Sequence, residues 1–244
     1  MTGRVALVTG GSRGLGRQMV LAFARAGADV VITSRKLDAC ENVAREVEEL
    51  TGRAALAHPC HVGRWDDIPG LVDAAYDRFG KVDVLVNNAG MSPLYDSLTD
   101  VTEKLFDSVV NLNLKGPFRL TALVGSRMVA AGGGVIINVS TTGSLRPEPH
   151  FLVYAAAKAG LNAFTEGFAK AYGPAVRVNT LMPGPYFTDV SKAWDQNHLD
   201  TMFGGLPLQR GGQPDEIVGA ALFLASDASS FTTGSIVRSD GGHP

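Results

Sequence analysis

Cysteine is scarce in this chain: Cys40 and Cys60 are the only two among 244 residues. A disulfide framework is not expected, and a reducing cytosol is the compartment that fits. Long runs of one charge are missing as well. The 22 basic and 24 acidic residues leave a formal net charge of −2, which does not support a nucleic-acid partner. The first apolar run, Val5 to Val8, is far too short for a signal peptide or a membrane span, so a soluble cytoplasmic protein is expected. Also absent are a Pro/Gly/Ser-rich linker, an internal repeat and a low-complexity block. Residues 1–244 are therefore expected to form one domain.

What is present is an alternation. Short β-branched runs near 4–8, 29–34, 54–58, 82–87, 134–140, 175–181 and 235–239 predict strands, and their unbroken apolar character predicts burial on both faces. Between them, segments of helical period predict helices near 14–26, 37–50, 66–79, 102–130, 154–172 and 214–226. This is the pattern of βαβ units and an α/β fold with a parallel sheet. Gly27 and Gly80 stand where left-handed caps would end the first and third helices, and Pro69 suits the first turn of the third. The stretch from Thr188 to Gly212, with Trp194, His198, Met202 and Phe203, has no sustained period. A connection that long predicts a substrate lid over about 188–212.

The first strand runs straight into Thr9-Gly10-Gly11-Ser12-Arg13-Gly14-Leu15-Gly16 and then a helix. Glycines let the backbone turn sharply and approach a pyrophosphate, whose charge is met by the N–H groups of the helix N-terminus. A tight turn alone would need one or two glycines, not four in this order. At the end of the second strand, where an acidic residue would bind the ribose of NAD, the chain has Thr33-Ser34-Arg35-Lys36. No carboxylate is available there. Arg35, with Arg13 in reach, offers a guanidinium suited to a 2′-phosphate, so NADP(H) is expected in preference to NAD(H).

Tyr154 and Lys158 are four residues apart in a helical segment and so share a face. An ammonium about 4 Å from a phenol, at an effective dielectric of about 20, would favour the phenolate by roughly 4 kcal/mol, or roughly three pKa units. That geometry suits acid–base chemistry. Further polar clusters fall at the carboxyl edge of the predicted sheet: Asn87-Asn88-Ala89-Gly90, Asn138-Val139-Ser140-Thr141-Thr142, and Pro183-Gly184-Pro185-Tyr186-Phe187-Thr188. Ligands bind at that edge in open α/β folds.

Taken in order, these motifs closely resemble the short-chain dehydrogenase/reductase family, NADP(H)-preferring members such as the 3-oxoacyl-[acyl-carrier-protein] reductases among them. Thr-Gly-x-x-x-Gly-x-Gly stands at 9–16, Asn-Asn-Ala-Gly at 87–90, Tyr-x-x-x-Lys at 154–158, Pro-Gly at 183–184 and Asp-Gly-Gly at 240–242. The resemblance implies a single-domain, doubly wound Rossmann-like fold with a seven-stranded parallel sheet, nicotinamide-dependent hydride transfer, and a homotetramer or homodimer. It assigns Tyr154 as the acid–base residue and Lys158 as the group that holds the nicotinamide ribose and lowers the tyrosine pKa. Of Asn111 and Asn113, which would point about 200° apart on a helix, the Asn-Leu-Lys-Gly match selects Asn113, the end of a proton relay through Lys158 and water.

The family's Ser-Ser doublet is Ser140-Thr141 here, and counting thirteen residues back from Tyr154 selects Thr141 as the catalytic hydroxyl, with Ser140 as the alternative. Cofactor contacts are expected from Gly10, Ser12, Arg13, Gly14, Leu15, Gly16, Ser34, Arg35, His61, Val62, Asn88, Ala89, Gly90, Tyr154, Lys158, Pro183, Gly184 and Thr188. His61 departs from the pattern, since similar proteins often carry there an Asp that accepts from the adenine amine. No metal site is expected. The implied activity is hydride transfer between NADP(H) and a small-molecule carbonyl/alcohol pair, a ketone, a sugar or an acyl thioester. Two rivals are an epimerase or dehydratase on the same fold and a non-enzymatic NADP-binding sensor. Ser92, Pro93, Leu94, Leu145, Arg146, His150, Tyr186 and Trp194 are candidate pocket residues, with Arg146 and His150 suited to an anionic substrate.

Overall fold

The computed structural model describes residues 1–188 and 203–243. Seven parallel strands form one sheet in the order β3-β2-β1-β4-β5-β6-β7. They are β1 (Val5–Thr9), β2 (Asp29–Ser34), β3 (Ala55–Pro59), β4 (Val84–Asn87), β5 (Gly134–Val139), β6 (Val176–Pro183) and β7 (Ile236–Ser239). Chain order reverses between β1 and β4, which opens a crevice at their carboxyl ends. The helices are α1 (Gly14–Arg25), α2 (Leu37–Thr51), α3 (Ile68–Phe79), α4 (Glu103–Val110), α5 (Gly116–Ala130), α6 (Leu152–Tyr172) and α7 (Val218–Ala225).

Alternate residues of β1, β2, β4, β5 and β6 feed opposite cores, as a period of two requires. The edge strands β3 and β7 are not buried on both faces, contrary to expectation, and Ile236 and Arg238 are exposed. Ala6, Val8, Val30, Ile32, Val84, Val86 and Ile137 face α1, α2 and α7. Val5, Leu7, Val31, Leu85, Ile136 and Val178 face α3, α5 and the end of α6. Burying a side chain such as Leu7 or Phe23 completely contributes about 1.5–3 kcal/mol. Two covered faces explain why the strands are apolar runs rather than alternating ones.

Gly80 ends α3 in the left-handed conformation (φ 73°), Gly27 follows α1 at φ 96°, and Pro69 lies in the first turn of α3. The helix expected over 102–130 is interrupted: α4 and α5 are joined by a π-helical turn at Asn111–Lys115. Its cause is a close approach. A Cβ on Gly116 would lie 1.9 Å from the Val62 carbonyl oxygen, so α5 can pack against the 60–63 loop only with glycine there and a shifted ladder behind it. The Gly116 N–H accordingly reaches back five residues to the Asn111 carbonyl. Residues 214–226 likewise divide into a 3₁₀ turn (Pro214–Ile217) and α7. Among the described residues no helix is long and apolar enough to cross a membrane.

A buried polar chain fixes α6 on the sheet. Asn87 Nδ2 donates to Asn138 Oδ1 (2.8 Å) and to Thr121 Oγ1 (2.9 Å); Asn138 Nδ2 donates to Thr165 Oγ1 (3.0 Å); Thr165 meets Thr180 (2.9 Å). These bonds link β4, β5, β6, α5 and α6 where water is excluded, and leaving any one of them unsatisfied would cost about 1–3 kcal/mol.

Candidate active site

The crevice between β1 and β4 is built around the glycine loop. Thr9 Oγ1 accepts from the N–H groups of Asn88 (2.9 Å) and Ala89 (3.0 Å), while Asn88 Nδ2 donates to the carbonyls of Thr9 (2.9 Å) and Gly10 (3.3 Å). Asn88 therefore holds the loop from behind. A Cβ on Gly16 would lie 2.2 Å from the Gly10 carbonyl oxygen, so helix and loop close on each other only because both carry glycine. Gly14 has φ 53°, a conformation that favours glycine. On the loop's outer side, a Cβ at Gly14 would meet only Thr188, at 4.0 Å. Arg13, at the N-cap of α1, has no acceptor to offer, so its side chain leaves the first-turn N–H groups uncapped.

Gly11 N–H donates to the Thr33 carbonyl (3.2 Å), which sets the loop beside the end of β2. Ser34 Oγ contacts Cys40 Sγ at 3.1 Å, and the side chains of Arg13, Arg35 and Lys36 are exposed around the same corner. A cradle of helix N–H groups flanked by cations fits a dinucleotide phosphate. His61 stands at the end of β3 with its Nδ1 accepting from the Gly63 N–H at 3.2 Å, which leaves Nε2 to carry the ring proton in the neutral form. Val62 beside it is buried. Gly184 completes the floor: its N–H donates to Ser239 (3.0 Å), and a Cβ on it would lie 2.7 Å from Asp240.

Tyr154 and Lys158 lie on the first turns of α6, facing the end of β5. The Tyr154 hydroxyl faces the Thr141 side chain, whose hydroxyl favours the ionised phenol. Ser140 is turned away: its Oγ is buried at 3.4 Å from both Ser144 Oγ and the Lys158 carbonyl. Adjacent residues at a strand end face opposite sides, and Thr141 is the one directed at the tyrosine. Asn113, fully buried, donates to the carbonyls of Met91 and Val109 (2.9 Å each), and its Oδ1 accepts from the Met91 N–H (3.3 Å). The amide is thus committed to holding the backbone after Gly90, with one Oδ1 lone pair to spare.

The expected depression of the Tyr154 pKa is not found. Burial pushes the phenol up to about 12, only partly offset by the Thr141 hydrogen bond. Lys158 Nζ donates to the Val139 carbonyl at 2.7 Å, and burial brings its ammonium down from 10.5 to about 7. A Coulomb estimate between two fixed charges omits the loss of water that each group suffers first. The sign for stability follows. Between about pH 7 and 10 the unfolded chain keeps a proton on Lys158 that the folded chain has lost, so stability rises with pH across that window. Above about pH 10 the raised Tyr154 acts in the opposite sense. Melting temperatures measured from pH 6 to 10 without cofactor are expected to rise, and Lys158→Met to flatten the rise; an unchanged slope in the variant would contradict this assignment.

Several pocket expectations need correction. Tyr186 is a core residue, buried, with its hydroxyl on Ser239 Oγ at 2.6 Å. Arg146 and His150 are exposed, in the segment between β5 and α6. Trp194, His198 and most of the expected lid lie outside the described residues; of the remainder, Phe203 packs on Phe187 at 5.1 Å. Two residues not singled out from the sequence bear on the site. Phe151 stands edge-on to Tyr154, with centroids 6.4 Å apart. Tyr95 accepts the Val153 N–H at 3.1 Å, an end of α6 that its own N-cap residue, Phe151, leaves uncapped. Their aromatic character beside a Pro and a motif Tyr was the available signal. Among the described residues no group of His, Cys, Asp and Glu is placed to hold a metal.

A nucleotide cradle at the switch point of a parallel sheet, with a Tyr/Lys/hydroxyl group beside it, defines a dinucleotide-dependent enzyme of the Rossmann class. Comparison with known proteins agrees. The family model described as enoyl-(acyl carrier protein) reductase matches residues 10–243. The 3-oxoacyl-[acyl-carrier-protein] reductase of Chlamydia trachomatis is 38% identical over 99% of this chain and 98% of its own. The 7α-hydroxysteroid dehydrogenase of Escherichia coli is 34% identical over 99% of this chain and 94% of its own. A gluconate 5-dehydrogenase from Burkholderia cenocepacia, solved with NADP and tartrate, superposes with a TM-score of 0.94 at 33% identity, covering 99% of this chain and 95% of that one. The chain belongs to the short-chain dehydrogenase/reductase family and resembles its 3-oxoacyl-[acyl-carrier-protein] reductases. It is therefore an oxidoreductase built for hydride transfer.

Proposed function

We propose that the protein is an NADP(H)-dependent carbonyl reductase in which Tyr154, Lys158 and Thr141 serve the reacting carbonyl. The grouping of the Thr141 hydroxyl, the Tyr154 phenol and Lys158 at the carboxyl end of β5 carries this reading. NADPH bound in the cradle supplies the hydride. Thr141 orients the substrate oxygen by donating to it, and Tyr154 gives the proton. Its raised pKa keeps the phenol protonated at neutral pH, the form reduction requires. Asn113 fixes the backbone after Gly90, along the path by which a proton would return through Lys158 and water.

Arg35 and Arg13 support the preference for the phosphorylated cofactor, as Ser34-Arg35-Lys36 at the end of β2 holds no carboxylate. Ser12, Leu15, Ala89, Pro183 and Thr188 complete the proposed cofactor contacts. For the substrate, a 3-oxoacyl thioester is the class to test first, since exposed Leu94 and Leu145 on the loops beside Tyr154 offer an acyl chain apolar contact. A cytoplasmic homodimer or homotetramer is part of the same reading. The partly exposed aromatic row of Phe118, Phe164 and Phe168 across α5 and α6 is the face that supports it.

The test is NADPH oxidation over a panel of 3-oxoacyl thioesters, sugars and simple ketones, repeated with NADH. Turnover with a keto thioester and a preference for NADPH are expected, with Arg35→Ala lowering that preference by about tenfold, the worth of about 1.4 kcal/mol. Equal use of both cofactors by the parent protein would contradict the assignment of Arg35.

A further inference from the structure

Three polar side chains stand on α6 at intervals of four residues, Tyr154, Lys158 and Asn162, and so share one face. Each meets the segment that follows β5. Tyr154 faces Thr141, Lys158 Nζ donates to the Val139 carbonyl at 2.7 Å, and Asn162 Nδ2 donates to Ser144 Oγ at 2.9 Å. Ser144 in turn donates its hydroxyl to the Thr141 carbonyl at 2.7 Å, and its N–H donates to the same oxygen at 3.0 Å. The third side chain has no part in the chemistry assigned so far.

We propose that Asn162 and Ser144 form a positioning relay that fixes the Thr141 hydroxyl against Tyr154. The inference rests on the reading of Thr141 and Tyr154 as the reacting pair. A serine hydroxyl has a single proton and rotates to suit its neighbours. Here Asn162 Nδ2 donates into Ser144 Oγ, and Ser140 Oγ approaches the same atom as a donor at 3.4 Å. With Asn162 donating into its oxygen, Ser144 directs its own proton to the Thr141 carbonyl. Two donors from one residue then lock that carbonyl, while the Gly143 N–H reaches Thr141 Oγ1 at 3.3 Å. The backbone of Thr141 is held extended, at φ −162° and ψ 151°, with its side chain turned to the tyrosine.

Asn162 is not retained for its own hydrogen bonding. Its Oδ1 is buried without a partner, a cost that an apolar residue in the same place would avoid. What the amide supplies is a donor aimed at Ser144, and with it the direction of the Ser144 proton.

The test compares Ser144→Ala, Asn162→Asp and Ser144→Thr in the NADPH-loaded enzyme, using the panel substrate with the highest turnover. Ser144→Ala removes the donor to Thr141. Asn162→Asp replaces the donor with an acceptor that draws the Ser144 proton away. Both are expected to lower kcat by about ten- to hundredfold, the scale of a misplacement of about 1 Å at a reacting group. NADPH affinity, followed by cofactor fluorescence, should stay within about twofold. The basic limb of the kcat–pH profile should move up, since Tyr154 loses the bond that favours its ionised form. Ser144→Thr keeps the hydroxyl and is expected to restore kcat to within about threefold of the parent.

Amide hydrogen exchange over residues 141–145 gives a readout that needs no turnover, and both disabling variants should exchange faster there. Parental kcat, pH profile and exchange in Ser144→Ala and Asn162→Asp would overturn the relay, as would equal loss in Ser144→Thr or a loss traced to weaker NADPH binding. Thr141→Ala and Tyr154→Phe separate this inference from its premise: if both keep full turnover, the reading of the reacting pair has failed instead.

Discussion

Tyr154→Phe is expected to lower kcat for carbonyl reduction by about 10²–10⁴-fold, the range general acid catalysis contributes, while NADPH binding stays within about twofold. The split between the two effects follows from the geometry. The phenol oxygen faces Thr141 and is buried deeply enough to raise its pKa to about 12. Its removal deletes the proton donor and leaves Thr141 without that partner. The ring itself is retained, so the edge contact with Phe151 survives. The glycine cradle lies on the other side of the crevice, held by Thr9 and Asn88, and the substitution does not reach it. Stopped-flow measurement of NADPH oxidation, with fluorescence titration of NADPH, checks both halves. Undiminished turnover would remove Tyr154 from the chemistry.

Gly16→Ala should have the converse signature. The added Cβ would lie 2.2 Å from the Gly10 carbonyl oxygen and 2.5 Å from Asn88 Nδ2. The first of these neighbours is backbone and cannot swing aside. Either α1 withdraws from the sheet or the loop opens, and both spread the N–H groups of the phosphate cradle. Overpacking of this kind costs about 1–3 kcal/mol, which corresponds to roughly 5–150-fold in NADPH affinity if it falls on the bound state. Isothermal titration should register that loss. Unaltered affinity in a folded variant would mean that the phosphates do not sit on this loop.

Much of this was legible from residue order. Strands buried on both faces must be apolar runs, so β1 and β2 stand out in the sequence within a residue or two of their observed bounds. Tyr154 and Lys158 share a helix face because spacing alone decides it. The π-helical turn at Asn111–Lys115 was hidden, since it arises from contact between Gly116 and Val62, more than fifty residues apart. The Tyr154 pKa was misjudged in sign because desolvation depends on what surrounds the ring, not on the distance to one lysine. Tyr186 looked like a pocket residue until its hydroxyl was seen to bond Ser239 in the core. Thr165 and Asn162 carried a weak signal: each continues the polar face of α6 begun by Tyr154 and Lys158, on a helix otherwise rich in alanine.

An epimerase or dehydratase on the same fold and a cofactor-binding sensor are the alternatives to transfer of hydride to a carbonyl substrate. An epimerase or dehydratase would return the cofactor unchanged, and a sensor would bind it without turnover. NADPH carrying deuterium at the transferring position of its nicotinamide, incubated with a keto substrate from the panel and followed by mass spectrometry, distinguishes them directly. The account predicts one deuterium on the carbinol carbon of the alcohol for each NADP⁺ formed. Product lacking the label, or bound NADPH that no carbonyl in the panel consumes, would contradict it.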